Sequence, residues 1–181
     1  IYQKYNGFMK KRILLMIPSL AKGGAERVVS ILSREFFKTH DVDVLVKNRK
    51  LGIAYDYCGN LIDLEQPISN KFLVRLYGFI SNCMKVIKIK KNLSQRNYKD
   101  WDLIVAHPPC TYFANSGVSW LHRQEGRWKK LDESADFFNL FLNHPCAKIA
   151  IENPVPHKYA LERTGNKKYT QTIQPWQFGH G

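Results

Sequence analysis

Acidic side chains are scarce in this chain of 181 residues: 15 Asp and Glu stand against 28 Lys and Arg, a formal net charge of +13. The imbalance is uneven. Residues 1–100 hold 19 basic and 8 acidic side chains, residues 101–181 hold 9 and 7. A surplus of this kind points to anionic partners, with DNA, an anionic membrane surface and a nucleotide-sugar as the candidates, or to a solvated basic face. Cysteine is also scarce. Cys58, Cys83, Cys110 and Cys146 show no CxxC and no metal-ligand spacing. A disulfide framework and a readable zinc site are thereby excluded, no metal is expected, and a reduced, cytoplasmic setting is. No apolar run approaches 18 residues, so no transmembrane helix is expected. Ile13–Ile17 is too short for a signal-peptide core and ends at Pro18. There is no internal repeat and no low-complexity tract.

What is present is an α/β pattern. Arg12–Ile17 and Asp41–Val46 read as buried strands, with a turn over Pro18–Gly24 and a helix over Ala25–Lys38 between them. Apolar residues at helical spacing (Leu73, Leu76, Ile80, Ile87) predict an amphipathic helix over Asn70–Lys91. Lys71, Arg75, Lys85, Lys88 and Lys91 form its basic back. Polar Asn92–Asp100 reads as a linker. Trp101–Ala106 is strand-like, and Thr111–Trp128 is a loop with one short helix. Lys129–Asn143 is a helix and Ala147–Ile151 a strand. Residues 155–168 are loop or short helix, and Tyr169–Gln174 alternates as a strand. The expected architecture is a Rossmann-like three-layer sandwich, a mainly parallel sheet with helices on both faces. Residues 1–8 read as a poorly ordered extension ahead of Met9.

Two strand ends carry chemistry. The run Trp101–Ala106 leads into His107-Pro108-Pro109-Cys110, and Lys148–Ile151 leads into Glu152-Asn153-Pro154. In an open α/β sheet, ligands bind outside the carboxyl ends of the strands. A thiol and a carboxylate delivered there are what covalent attack on a pyrimidine ring requires: the thiolate adds to the ring and the acid holds a ring nitrogen. The two prolines fix the backbone ahead of Cys110. His107 reads first as a strand cap, with proton transfer as the second reading. Cys146 has no such context and reads as core.

Pro108-Pro109-Cys110 with Glu152-Asn153 resembles the catalytic pair of cytosine-C5 DNA methyltransferases. The longer text, His107 to Val118, Ile151 to Pro154 and Gln174 to His180, is similar to phage-type proteins of that kind, so residues 99–181 read as a methyltransferase-like catalytic half. The resemblance implies Cys110 as nucleophile, Glu152 as ring-holding acid, Pro108, Pro109 and Asn153 as positioning residues, and S-adenosylmethionine as methyl donor. Asn115 and Trp176 are further candidates for substrate contact, Trp176 as a stacking surface for a base.

Residues 9–98 resemble something else. Ile17-Pro-Ser-Leu-Ala-Lys-Gly23-Gly24-Ala-Glu26-Arg27, and then Tyr55–Leu64, look like the amino-terminal domain of family 4 glycosyltransferases. That resemblance implies a βαβ half whose Gly23 and Gly24 face a nucleotide-sugar cleft, where a glycine pair before a helix admits phosphate. The chain therefore reads as a chimera of two partial enzymes, expected to fold as one compact domain. Each half departs from its family. The glycine-rich donor turn of a methyltransferase is missing after the first strand, Thr111 stands where the DNA enzymes carry Gln, and Pro154 where they carry Val. No second glycosyltransferase domain follows. Three readings result: a methyltransferase-like protein, a glycosyltransferase fragment, and a non-catalytic module with a basic binding face.

Overall fold

The computed structural model describes residues 10–65 and 101–178. The expected extension at 1–8, helix at Asn70–Lys91 and linker at Asn92–Asp100 lie outside the described residues.

Five strands form one parallel sheet: β1 (Arg12–Ile17), β2 (Asp41–Val46), β3 (Asn60–Asp63), β4 (Leu103–Ala106) and β5 (Ile149–Ile151). Their order is β3-β2-β1-β4-β5, and every pairing is parallel. This is a Rossmann-like α/β fold. Helix α1 (Gly24–Phe37) connects β1 to β2, α2 (Asn115–Val118) and α3 (Arg127–Leu142) lie between β4 and β5, and α4 (Lys158–Arg163) follows β5. The chain divides into two compact units, one running to Pro109 and including Leu140–Asn153, the other made of Cys110–Asn139 and Pro154–Gly181.

The first unit is built on a run of apolar residues too long to have a polar face. Every residue of Ile13–Ile17 is buried, as the central strand of a parallel sheet requires. On one face Ile13, Leu15 and Ile17 pack with Val42, Val44, Val46 and Val29 of α1. On the other, Leu14, Met16, Leu45, Ile104 and Ala106 are buried. Two serines of α1 hold the loop that leads to β3. Ser30 Oγ donates to the Asp56 carbonyl at 2.5 Å, and Ser33 Oγ accepts the Cys58 N–H at 3.1 Å. Gly59 then enters β3 at φ 109°, so close to the Val42 carbonyl that a Cβ would collide with it. Only glycine combines that backbone conformation with that approach.

The second unit has its own small core: Phe113, Leu121, Leu131, Ala135 and Ala160, ringed by Tyr112, Val118, Trp128, Phe138 and Tyr159. Phe113 and Phe138 stack with centroids 5.0 Å apart. His157 caps α4, its Nδ1 accepting the Ala160 N–H at 3.2 Å.

One expected element is corrected. Tyr169–Gln174 is not a strand: the segment is irregular and fully exposed, with Tyr169 and Ile173 facing solvent, and it leads into a short 3-10 turn at Pro175–Phe178. Its alternation of polar and apolar residues buries neither face, and without burial alternation carries no preference for a sheet.

Candidate functional site

The sheet reverses its winding between β1 and β4, the switch point at which open α/β sheets take ligands. His107 follows β4 at that edge. Its backbone N–H donates to the Met16 carbonyl at 2.9 Å, which continues the β1–β4 ladder one step past the strand. Glu152 stands in the same position after β5, its N–H on the Ala106 carbonyl at 3.0 Å. Both side chains are therefore set by sheet registers, and rigid elements hold such geometry better than loops do.

The two side chains meet. His107 Nδ1 lies 3.2 Å from Glu152 Oε2. The imidazole is buried, 7% exposed, whereas the carboxylate is 60% exposed. The hydrogen bond from His107, with its charge interaction, holds the Glu152 carboxyl below the usual carboxylate range and outweighs the burial that would raise it. Glu152 is thus ionised at neutral pH and accepts only, so Nδ1 carries the shared proton. Asn153 is fixed beside it, its Nδ2 donating to the Pro108 carbonyl at 3.1 Å. That bond decides the orientation of the amide: the nitrogen faces Pro108 and Oδ1 is the free end. Two buried polar atoms here have no partner, His107 Nε2 and Asn153 Oδ1. Buried polar atoms are nearly always paired, and each orphan costs about 1–3 kcal/mol. Pro108 is buried and Pro109 exposed.

Of the sequence-derived candidates, the structure brings together Glu152 with His107 and Asn153 with Pro108. Cys110, Asn115 and Trp176 belong to the second unit. Cys110 is exposed and directly follows Pro109. Its carbonyl accepts from Phe113 and Ala114 N–H at 2.9 and 3.0 Å, which closes a turn. No helix starts at the thiol, since α2 begins only at Asn115. Asn115 is exposed at the start of that four-residue helix. Trp176 is 69% exposed, so its ring does not close a core. The contact of His107 with Glu152 was not anticipated from the sequence.

Gly23 and Gly24 stand at the amino end of α1, as expected. The Glu26 carboxylate folds back over Gly23, where any Cβ would meet it. A carboxylate at this third helical position serves the positive end of the helix by itself.

Among the described residues, those that follow β1 and β2 do not fit S-adenosylmethionine. A donor pocket of the methyltransferase kind needs an open glycine turn after β1 and an acid after β2. After β1, Leu20 is buried and its carbonyl accepts the Ala54 N–H at 2.7 Å, while Glu26 fills the place at Gly23. After β2 come Lys47 and Asn48, and the Asn48 carboxamide is taken by the Lys50 N–H at 2.8 Å. Asp63, the last residue of β3, lies 3.6 Å from Arg49 and caps the Glu65 N–H at 2.8 Å. Among the described residues no group of three His, Cys, Asp or Glu side chains is arranged to hold a metal ion, and no helix is long and apolar enough to cross a membrane.

No protein-family model matches this chain, and comparisons with curated proteins and with solved structures likewise return no match.

Proposed function

We propose that this chain acts on a cytosine base as cytosine-C5 DNA methyltransferases do, with Cys110 as the nucleophile and Glu152, at the carboxyl end of β5, as the group that holds the ring. The observation that carries this reading is the His107–Glu152 pair, a carboxylate presented at the switch-point edge of a parallel sheet by a buried imidazole. Asn153, pinned on Pro108, offers an amide oxygen beside it. A carboxylate and an amide oxygen are acceptors, and an amino-bearing pyrimidine has the N–H groups to meet them. Cys110 follows Pro109 and is exposed, as a nucleophile must be.

In the proposed reaction the Cys110 thiolate forms a bond to ring carbon 6. The electrons of the 5,6 double bond move through the ring to nitrogen 3, which takes a proton that the exposed Glu152 carboxylate relays from solvent. Carbon 5 becomes enamine-like and exchanges its hydrogen with solvent. Reversal expels the thiolate and restores the ring. Because the donor turns do not fit S-adenosylmethionine, the proposal ends at this acceptor half of the chemistry.

The test is hydrogen–deuterium exchange at cytosine carbon 5 in a short DNA oligonucleotide, read by NMR or mass spectrometry. The protein should label that position, Cys110→Ser should not, and Glu152→Gln should lose roughly 10²-fold or more of the rate. Exchange no faster with the protein than with Cys110→Ser overturns the reading. Calorimetry with S-adenosylmethionine should give no saturable heat at micromolar concentration. A clear isotherm would restore a donor site and with it full methyl transfer.

A further inference from the structure

Helix α3 opens on Arg127-Trp128-Lys129-Lys130, with no acidic residue in its first turn. The amino end of a helix carries partial positive charge, and cations there are unfavourable. Arg127 and Lys130 are three positions apart, so they are neighbours on the helix surface and repel each other as well. Both face the Tyr112 ring: the Arg127 guanidinium carbon lies 4.9 Å from its centroid and Lys130 Nζ 5.9 Å. Among the described residues neither cation forms an ion pair. Asp132, the next acid along the helix, is paired with Arg163.

We propose that the first turn of α3, with the Tyr112 ring, is a binding site for a phosphate group. The site lies wholly in the second compact unit. The inference goes beyond the cytosine reading and does not rest on it.

Two observations separate this cluster from a patch of solvated charge. The first is the state of the guanidinium. Nη1 donates to Gln124 Oε1 at 3.0 Å, whereas Nη2 reaches the Thr111 carbonyl at only 3.5 Å. Nε is buried and has no partner. Nε and Nη2 form one edge of the fork, and such an edge takes two oxygens of an oxyanion at once. Tying the loop to the helix needs Nη1 and Nη2 alone. The second is burial. Arg127 and Tyr112 are partly buried, and Lys130 is exposed. A cation partly removed from water without a counter-charge is costly. A bound anion offsets that cost, the repulsion between the cations and the unfavourable dipole together.

The chemistry favours phosphate over carboxylate. A carboxylate satisfies the fork, but the second cation at Lys130 is a point charge that matches a further anionic oxygen. Thr111 and Tyr112 directly follow Cys110, so the loop that begins at the thiol holds the anion. A phosphomonoester and a nucleic-acid backbone both offer this group. In the second case the contact positions the strand without reading its sequence.

The test is NMR titration of the full chain with sodium phosphate at constant ionic strength, following the Arg127 Nε–H and Trp128 Nε1–H signals. Both should shift and saturate, with Kd on the order of 1 mM for inorganic phosphate. Arg127→Gln and Lys130→Gln should weaken binding about 10-fold or more, read at Trp128, and Arg127→Lys should weaken it too, because it keeps the charge and loses the fork. Lys168→Gln removes the same charge from an exposed position and should change Kd by less than about 2-fold, since salt screens distant charges. A shift that never saturates, or an equal loss in Lys168→Gln, overturns the inference. Should the Arg127 variants unfold, Lys130→Gln carries the same comparison. Deoxycytidine monophosphate and a dinucleoside phosphate, titrated in the same way, distinguish the sources. Preference for the monoester supports the site with a small phosphomonoester as ligand, and equal or tighter binding of the diester supports it with a nucleic-acid backbone. Cys110→Ser should bind phosphate as wild type does, so phosphate binding without carbon 5 exchange sinks the cytosine reading alone and supports this site.

Discussion

Trp101 donates its indole N–H to Asp43 Oδ2 at 2.9 Å, across 58 residues of sequence. The same carboxylate accepts from Arg12 Nη2 at 2.9 Å and, through Oδ1, from Asn60 Nδ2 at 2.9 Å. One buried acid thus ties the starts of β1 and β3 and the approach to β4 to β2. It lies at the amino edge of the sheet, opposite the edge that carries His107 and Glu152. Acids and bases at that edge serve stability, and those at the carboxyl edge face ligand. The Asp43–Trp101 bond also crosses the boundary between the two resembled families, because Asp43 belongs to one segment and Trp101 to the other.

Asp43→Ala should therefore be a severe lesion. It leaves a buried indole N–H and the Asn60 amide without their acceptor and removes the partner of Arg12. The expected loss is about 3 kcal/mol. Urea unfolding monitored by circular dichroism measures it; a loss well below about 1 kcal/mol would show that the cluster is replaced by water.

The cysteines should react in a definite order. Cys110 is exposed. Cys146 is partly buried, and its thiol donates to the Trp101 and Lys148 carbonyls at 3.3 and 3.4 Å. Iodoacetamide should alkylate Cys110 well before Cys146 in the folded chain, since access and thiolate character set the rate. Peptide mapping after brief labelling decides this.

Stability should depend on Glu152 in one direction of pH. Its carboxyl titrates lower in the folded chain than the value of about 4.3 expected in the unfolded one. The folded state therefore favours the ionised form. That contribution is fully present above the unfolded value and is lost as pH falls through the folded one. Glu152→Gln should lower the melting temperature near about pH 6, and the gap from wild type should close as acid is added. A gap that widens in acid would reverse the sign and exclude His107 as the stabilising partner.

Any DNA affinity should be mainly electrostatic and arise from the first hundred residues, which hold 19 basic side chains against 8 acidic ones. Replacing Lys85, Lys88 and Lys91 by Gln should weaken binding and flatten its dependence on salt. The log–log slope should fall by roughly 0.7–0.9 for each phosphate that is no longer neutralised. Cys110→Ser should leave both nearly unchanged. Fluorescence anisotropy over a salt series is the measurement. If Trp176→Ala has the larger effect, the exposed ring is the stacking surface and the basic face is not the binding face.

The most legible parts of this fold are those where burial on both sides leaves a sequence no alternative. Arg12–Ile17 and Asp41–Val46 have the same bounds in sequence pattern and in structure, because five consecutive buried residues in each admit little but a parallel strand. The helices are displaced by one or two residues at their ends, where capping is ambiguous. β3 does not stand out as a strand in the sequence, since Asn60–Asp63 is short and only half-buried, and its pairing with β2 is invisible locally. The strand expected at Tyr169–Gln174 fails for the opposite reason: its pattern is local and no strand pairs with it. Of the site, the positions of Glu152 and Cys110 after strands are readable from the runs that precede them. The bond between His107 and Glu152 is not, because it depends on β4 and β5 being neighbours, 45 residues apart.

The pairing of β1 with β4 sets the order in which this polypeptide can be made. Ile13 waits for Leu103, and the Arg12 N–H waits for Asp102, 90 residues further on. Until the ribosome has released that second partner, β1 has β2 on one side and an open edge on the other. Such an edge recruits other chains, and distant pairings are slow to form. A nascent chain stalled or cleaved before residue 103 should thus be a substrate for chaperones and prone to aggregate, although it contains one of the two resembled segments almost whole.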